Sequence, residues 1–189
     1  RLTHIECNGK QYIDLGYVVK EDDIIEANFI LTKIDESDNF LFGVSDGTSD
    51  LWFEYYNHTA YSRFGHTSSY SVANTSDEYR VILQKNLVTI GSTSASLDYT
   101  SMPNSSLFLF AGKSTSGNPY AYGYYRCSLF RITDRNGVIV SVELNDTVGL
   151  LLAKANIAGS AERKSININF CIQNNIFFTY WCVICPITF

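Results

Sequence analysis

Short runs of alternating apolar and polar residues, cut at close intervals by turn-forming clusters, limit what this chain can become more than any other feature of it. Ile25, Ala27, Phe29 and Leu31 alternate with Glu26, Asn28, Ile30 and Thr32. That period of two places the first set on one face of a strand and the second on the other. Comparable aromatic and β-branched segments follow at 40–44, 51–56, 79–83, 87–90, 107–111, 122–132 and 138–144, each bounded by Gly, Asn, Asp or Ser. Turn signals stand at Asp46-Gly47, Ser116-Gly117-Asn118-Pro119 and Asp134-Arg135-Asn136-Gly137, the last between two strong strands, as in a hairpin. With no helical period before residue 147, the pattern predicts an all-β, antiparallel two-sheet sandwich. Its expected core is Phe29, Leu31, Phe42, Phe53, Ile82, Leu109, Phe130, Ile132 and Val140.

Composition narrows the function classes. Of 189 residues, 46% are hydrophobic and 17% charged, and 12 Phe, 13 Tyr and 2 Trp give ample surface to bury, which excludes intrinsic disorder. A net charge of −5, with no basic run longer than the Arg163-Lys164 pair, argues against nucleic acid as partner, since phosphate neutralisation dominates such binding. No stretch reaches the roughly 18 apolar residues a membrane helix needs, and 168–189 is broken by Asn169, Gln173, Asn174, Asn175 and Pro186. The chain is therefore read as soluble, with no membrane insertion. A chain that opens on Arg1 is expected to be a processed product or a segment of a longer protein.

Five cysteines, Cys7, Cys127, Cys171, Cys182 and Cys185, are an odd number, so at least one thiol is unpaired within the chain. Cys182-Val-Ile-Cys185 has the spacing of a redox or half-zinc motif, but no second pair accompanies it. Buried thiols are the favoured reading. Asn-x-Ser/Thr triplets at Asn57, Asn74, Asn104 and Asn145 are expected by chance in so polar a chain. Past residue 146 the composition changes. Residues 148–161 are Leu- and Ala-rich and are read as a short helix, whereas 165–189 is crowded with Ile, Asn and Phe.

Three blocks carry a resemblance. Gln11-Tyr12-Ile13-Asp14-Leu15-Gly16-Tyr17, the run Leu107-Phe108-Leu109-Phe110-Ala111-Gly112, and the hairpin-like stretch 124–144 resemble, in order and spacing, concanavalin A-like, laminin-G-like jelly-roll modules of bacterial and phage surface proteins. The resemblance covers about residues 1–146 and implies a jelly-roll sandwich there. Residues 147–189 form a divergent C-terminal segment, since only Val148-Gly149-Leu150 agrees with the family's closing segment. The closing strand is then expected at 165–170, at 175–179 or at neither. Ile176, Phe177, Phe178, Trp181 and Val183 should not stay in water, so this segment is expected to close the sandwich or to pack on another subunit, as in a homo-oligomer.

Sandwiches of this class can carry glycosidase chemistry, which needs two carboxylates flanking one bond. No alternating acidic triplet exists here, Glu54 stands alone in its segment, and His4, His58 and His66 show no nucleophile–base–acid spacing. The chain is therefore expected not to be an enzyme. The stronger candidates are rings, because an exposed aromatic face beside amides or carboxylates stacks on a sugar's C–H face while the polar groups take its hydroxyls. Trp52, Glu54, Tyr56, His58 and Arg63 form one such segment, and Tyr120 and Tyr122 another. On alternation Trp52 and Tyr56 share Glu54's face, and Glu54 should meet water, so these two rings are expected to be exposed. The plainer reading is that they pair across strands. The resemblance also raises calcium, for which Asp46, Asp50 and Asp98 are candidates. Their spacing fits no compact calcium loop, ordinary turn aspartates are favoured, and no cofactor is expected.

The leading expectation is a non-catalytic, lectin-like recognition module on a virion or cell surface, extracellular, whose partner is a cell-surface glycan. The alternative is a structural assembly module of a phage particle or surface fibre, contacting neighbouring protein chains, and a glycoside hydrolase ranks below both. The purified chain should release no reducing ends from polysaccharide. Sustained release that vanishes with Glu54→Gln would overturn that expectation.

Overall fold

The computed structural model describes residues 5–9, 11–33, 39–56, 59–66, 70–73, 79–144 and 151–155. Among them the chain forms sixteen strands and no helix. The first eight are β1 (Ile5–Asn8), β2 (Ile13–Asp14), β3 (Ile24–Leu31), β4 (Asn39–Ser45), β5 (Asp50–Tyr56), β6 (Thr59–Phe64), β7 (Tyr70–Ala73) and β8 (Tyr79–Gln84). The others are β9 (Leu87–Ile90), β10 (Thr93–Ser96), β11 (Phe108–Leu109), β12 (Gly112–Lys113), β13 (Pro119–Tyr120), β14 (Tyr124–Asp134), β15 (Gly137–Leu144) and β16 (Leu151–Ala155).

One sheet has eight strands in the order β10-β9-β8-β3-β14-β15-β16, with β1 also on β14. A second has six, in the order β2-β11-β4-β5-β6-β7, and β12 pairs β13 as a separate ribbon. Every strand pair is antiparallel, giving an all-β, two-sheet jelly-roll sandwich. The turn expected at 134–137 is a two-residue hairpin, with Asp134 opposite Gly137 and Arg135-Asn136 between. Gly137 holds φ 125°, a backbone setting that glycine adopts without a Cβ clash.

The core fills the space between the sheets. Phe29, Phe42, Phe53, Leu109, Phe130, Ile132 and Val140 are buried in it, and Leu31 packs against its rim. Ile82 departs from expectation. It lies opposite Glu26 and Thr89 and is half-buried on the outer face, while Val81 and Leu83 on either side of it enter the core. Its segment reads as a continuous apolar run, so only the register to β3 decides which alternate set points inward. Cys7 and Cys127 are buried core thiols. Cys171, Cys182 and Cys185 lie outside the described residues.

The helix expected at 148–161 is corrected. Residues Leu151–Ala155 form β16, paired with β15 from Leu144↔Leu151 to Val140↔Ala155. Leu and Ala favour helix in isolation, but an open sheet edge offers a row of unpaired backbone groups, and that pairing overrides propensity. The strand therefore extends the same sheet that residues 1–146 build. Both regions proposed for a closing strand, 165–170 and 175–179, lie outside the described residues, as does the apolar run at 176–183. Among the described residues no helix is long and apolar enough to cross a membrane.

Truncating Phe130 to Ala should cost about 3–5 kcal/mol of unfolding free energy, because its ring packs between the sheets against Phe42 at 5.8 Å. Ile82→Ala should cost less than about 1 kcal/mol. Urea unfolding of the two variants measures both, and equal losses would refute the assigned face of Ile82.

Candidate functional site

The N-terminal motif anchors the six-stranded sheet. Ile13 and Leu15 point into the core, while Asp14 Oδ1 accepts the Gly16 amide at 2.9 Å as Gly16 turns the chain at φ 62°. Tyr17 then donates to Asp23 Oδ2 at 2.8 Å, and Asp23 also accepts the Lys20 amide. Burial is the main cause of the raised pKa of both groups. Tyr12, on the opposite side from Ile13, stacks on Phe108 with 4.7 Å between ring centroids. The motif is thus a strand plus a turn that fixes one ring on the outer surface.

That surface is the outer face of the six-stranded sheet. Cross-strand register aligns Asp14, Phe108, Gly43, Trp52 and Arg63 in one row, with Phe40, Glu54, Tyr61 and Ser71 in the next. Phe40, Trp52 and Phe108 are buried yet stand outside the core between the sheets, so they form a thin second apolar layer. Gly43 makes it possible. A Cβ there would approach a Phe40 ring carbon at 2.7 Å and Gly112 Cα at 3.2 Å, so only a residue without one lets that ring lie down on the strand.

The ribbon β12–β13 folds over this layer. Tyr120 packs edge-on against Phe40 at 5.3 Å, and Phe40 against Trp52 at 5.8 Å. Tyr122 bridges Phe40 through the backbone and sits 6.3 Å from Tyr12. Phe110 and Ala121, where the chain enters and leaves the open end of the ribbon, hold φ 68° and 48°. Non-glycine residues in that region carry strain of order 1–3 kcal/mol, which persists only where packing over-determines it. Hydrogen bonds do so here: Phe110 N donates to Leu41 O at 2.6 Å, Gly123 N to Phe110 O at 3.0 Å, and Phe40 N to Ala121 O at 3.2 Å.

Two cations cover rings on the same face. The Arg63 guanidinium lies 4.6 Å above Trp52 and is paired with Asp50. Lys113 Nζ lies 4.8 Å above Phe108 and donates to Ser106 Oγ at 2.6 Å. The expectation that Trp52 is exposed is therefore corrected. At 6% exposure it is a floor rather than a platform, because Arg63 and Phe40 close over it. Among the described residues Tyr56 at 43% and Tyr120 at 38% are the exposed aromatic rings. Glu54 is half-buried on the shared face, as alternation requires, and Tyr122, which bridges Phe40, is half-buried too. His58 and His4 lie outside the described residues. Phe40, Phe108 and Tyr12 escaped sequence reasoning, although a glycine inside the apolar run 40–44 marks a close approach.

The calcium candidates are engaged with protein. Asp46 Oδ1 accepts from the Thr48 amide at 2.9 Å, the Thr48 hydroxyl at 2.7 Å and the Ser49 amide at 3.0 Å, and Oδ2 accepts the Asn104 amide at 2.9 Å. These donors, led by the Thr48 hydroxyl, hold its carboxyl far below the usual carboxylate range. Asp50 is bound by Arg63. Among the described residues no three of His, Cys, Asp and Glu converge as a metal cage.

No protein-family profile matches the sequence, and no curated protein does. Solved structures do match. The LG4-5 domains of the mouse laminin alpha1 chain superpose with a TM-score of 0.52 at 14% identity, over 77% of this chain and 47% of that one. The fold is laminin-G-like. A Trypanosoma rangeli sialidase in complex with sialic acid aligns with a TM-score of 0.42 at 10% identity, over 70% of this chain and 25% of that one. The chain thus spans under half of the laminin pair, and identities this low concern the fold alone.

Two outcomes follow. Trp52→Ala should cost about 3 kcal/mol, as for a buried large ring, and calorimetry that shows wild-type stability would refute the second apolar layer. Asp46→Ala should destabilise most above about pH 4.5, where the carboxylate is charged in both folded and unfolded chains. Because the folded-state pKa is depressed, that contribution is lost as pH falls from about 4 toward the folded value. The melting gap to wild type should therefore narrow in acid, and a gap independent of pH would refute the charged Asp46 turn.

Proposed function

We propose that this chain is a non-catalytic, extracellular recognition module that binds glycan on the outer face of the six-stranded sheet. The observation that carries the reading is convergence. Two aromatic segments far apart in sequence meet through Phe40, so Tyr56, Glu54, Arg63, Tyr120 and Tyr122 surround one shallow surface. Tyr120 and Tyr56 supply stacking faces, Glu54 and Tyr122 accept or donate hydrogen bonds to hydroxyls, and Trp52 with Phe40 stiffens the floor. A host-surface or virion setting, with an environmental or cell-surface glycan as partner, is the setting this reading favours.

Chemistry on a glycosidic bond is not supported by the spacing of the acids. Asp50 and Glu54 lie four residues apart on one strand, roughly 13 Å at 3.3 Å per residue. Glycosidase pairs work at about 5–5.5 Å or 6.5–9.5 Å. Asp50 is moreover held by Arg63.

Affinity should be weak, with Kd on the order of 0.1–1 mM, as suits a small open site. On a glycan array followed by calorimetry, Tyr120→Ala and Tyr56→Ala should each lower affinity by about tenfold. Tyr56→Ala should keep stability within about 0.5 kcal/mol of wild type, while Tyr120→Ala also gives up its edge contact with Phe40 and should cost about 1 kcal/mol. Raising salt to 0.5 M should change little, since stacking is unscreened. A blank array for the wild type would refute the glycan reading in favour of assembly with neighbouring chains.

A further inference from the structure

The opposite face of the sandwich carries a different chemistry. On the outer side of the eight-stranded sheet Glu26 is buried, its side chain 10% exposed. Arg80 Nε donates to its Oε1 at 2.6 Å, and Arg131 Nε to its Oε2 at 2.5 Å, with Arg131 Nη2 also bound. Both carboxylate oxygens are thereby used, and two guanidinium groups share one negative charge. The arginines themselves remain open, with side chains 56% and 39% exposed. Around them on the same face stand Ile24, 37% exposed, and Ile30, Ile82, Leu87 and Leu129, all half-buried.

The fold does not need this arrangement. Burying a carboxylate between strands costs desolvation that an apolar residue of like size avoids. Asn28, directly opposite Arg80 in register, adds a buried Oδ1 with no hydrogen-bond partner among the described residues. What the triad does supply is rigidity. Anchored at Nε, the terminal nitrogens of Arg80 are held toward solvent, where a second oxyanion meets a fork already ordered.

We propose that this face is a protein-docking surface centred on the Arg80–Glu26–Arg131 triad, whose partner presents a carboxylate set among aliphatic side chains. Charge complementarity supports it. The chain is net −5, yet the described side chains here include Arg80, Arg126 and Arg131 against Glu6 and Glu26, a positive spot on an acidic protein. The surround selects the class of partner. Arginine in a setting of Ile and Leu has the composition of a protein interface centre, whereas a sugar would need rings for its C–H faces. The inference is independent of the glycan reading, which concerns the other sheet.

The test follows arginine Nε–H signals of the intact, isotope-labelled chain during titration with acetate, with the blocked peptide N-acetyl-Leu-Glu-Leu-amide, with its Gln counterpart, and with a sulfated disaccharide. The Glu peptide should shift the Arg80 and Arg131 signals saturably and bind about tenfold tighter than acetate, the share added by the aliphatic flanks. The Gln peptide should shift neither signal. Arg80→Gln, which leaves Glu26 paired with Arg131, should abolish peptide binding without changing the fold. Signals unmoved by the Glu peptide, a peptide no tighter than acetate, binding that survives Arg80→Gln, or a stronger response to the sulfated disaccharide would each overturn the proposal. None of these results bears on Tyr56 or Tyr120, so the two readings fail separately.

Discussion

Five rings packed between the sheets are the interaction on which the rest depends. Tyr125, Phe29 and Phe130 come from the eight-stranded sheet, and Phe42 and Phe53 from the six-stranded one. They form a chain of contacts, with centroids 5.6 Å apart for Tyr125–Phe29, 5.2 Å for Phe29–Phe53, 6.1 Å for Phe53–Phe42 and 5.8 Å for Phe42–Phe130. Beyond area burial, such pairs contribute about 0.5–1.5 kcal/mol each. Tyr125 adds a polar tie, donating its hydroxyl to the Asn39 carbonyl at 2.5 Å across the buried gap. Burial holds that phenol protonated far above neutral pH, so the tie does not titrate in any physiological range.

Once these rings face inward, strand period dictates the outer faces. Trp52, Glu54 and Tyr56 face outward because Leu51, Phe53 and Tyr55 face in, and Glu26 and Asn28 face outward because Ile25, Ala27 and Phe29 face in. The two outer surfaces then diverge. One acquires a second aromatic layer under a ribbon and presents rings with a balanced set of charges. The other is aliphatic with surplus guanidinium. A thin sandwich can in this way offer two chemically unlike surfaces without either competing for core volume.

The two-sheet architecture was legible because alternation in 25–31 and the turn at 134–137 are local signals that the fold obeys. Exposure was less so. Trp52 sits on the side that alternation assigns, but its burial comes from Phe40 and Arg63 closing over it, which a strand pattern cannot reveal. Ile82 was misplaced because Val81, Ile82 and Leu83 are equally apolar, leaving register as the only arbiter. The Leu- and Ala-rich composition of 148–161 favours helix, whereas the edge of β15 makes Leu151–Ala155 a strand. The paired arginines on Glu26 were invisible for a similar reason, since residues 26, 80 and 131 become neighbours only through pairing of β3 with β8 and β14.

The position of β14 in the chain sets an order of events. It is the hub of the larger sheet, pairing β3 along one side and β1 and then β15 along the other, yet it begins only at Tyr124. During synthesis at about 5–20 residues per second, β1 leaves the ribosome well ahead of β14 and waits for the whole intervening chain before Ile5–Asn8 can meet Tyr124–Cys127. Long-range antiparallel pairings of this kind delay folding through the entropy of closing large loops. Until they form, the side of β3 that β14 will pair stays an open sheet edge. The interval between making the first strand and docking it is thus when this chain is most exposed to association with its own copies.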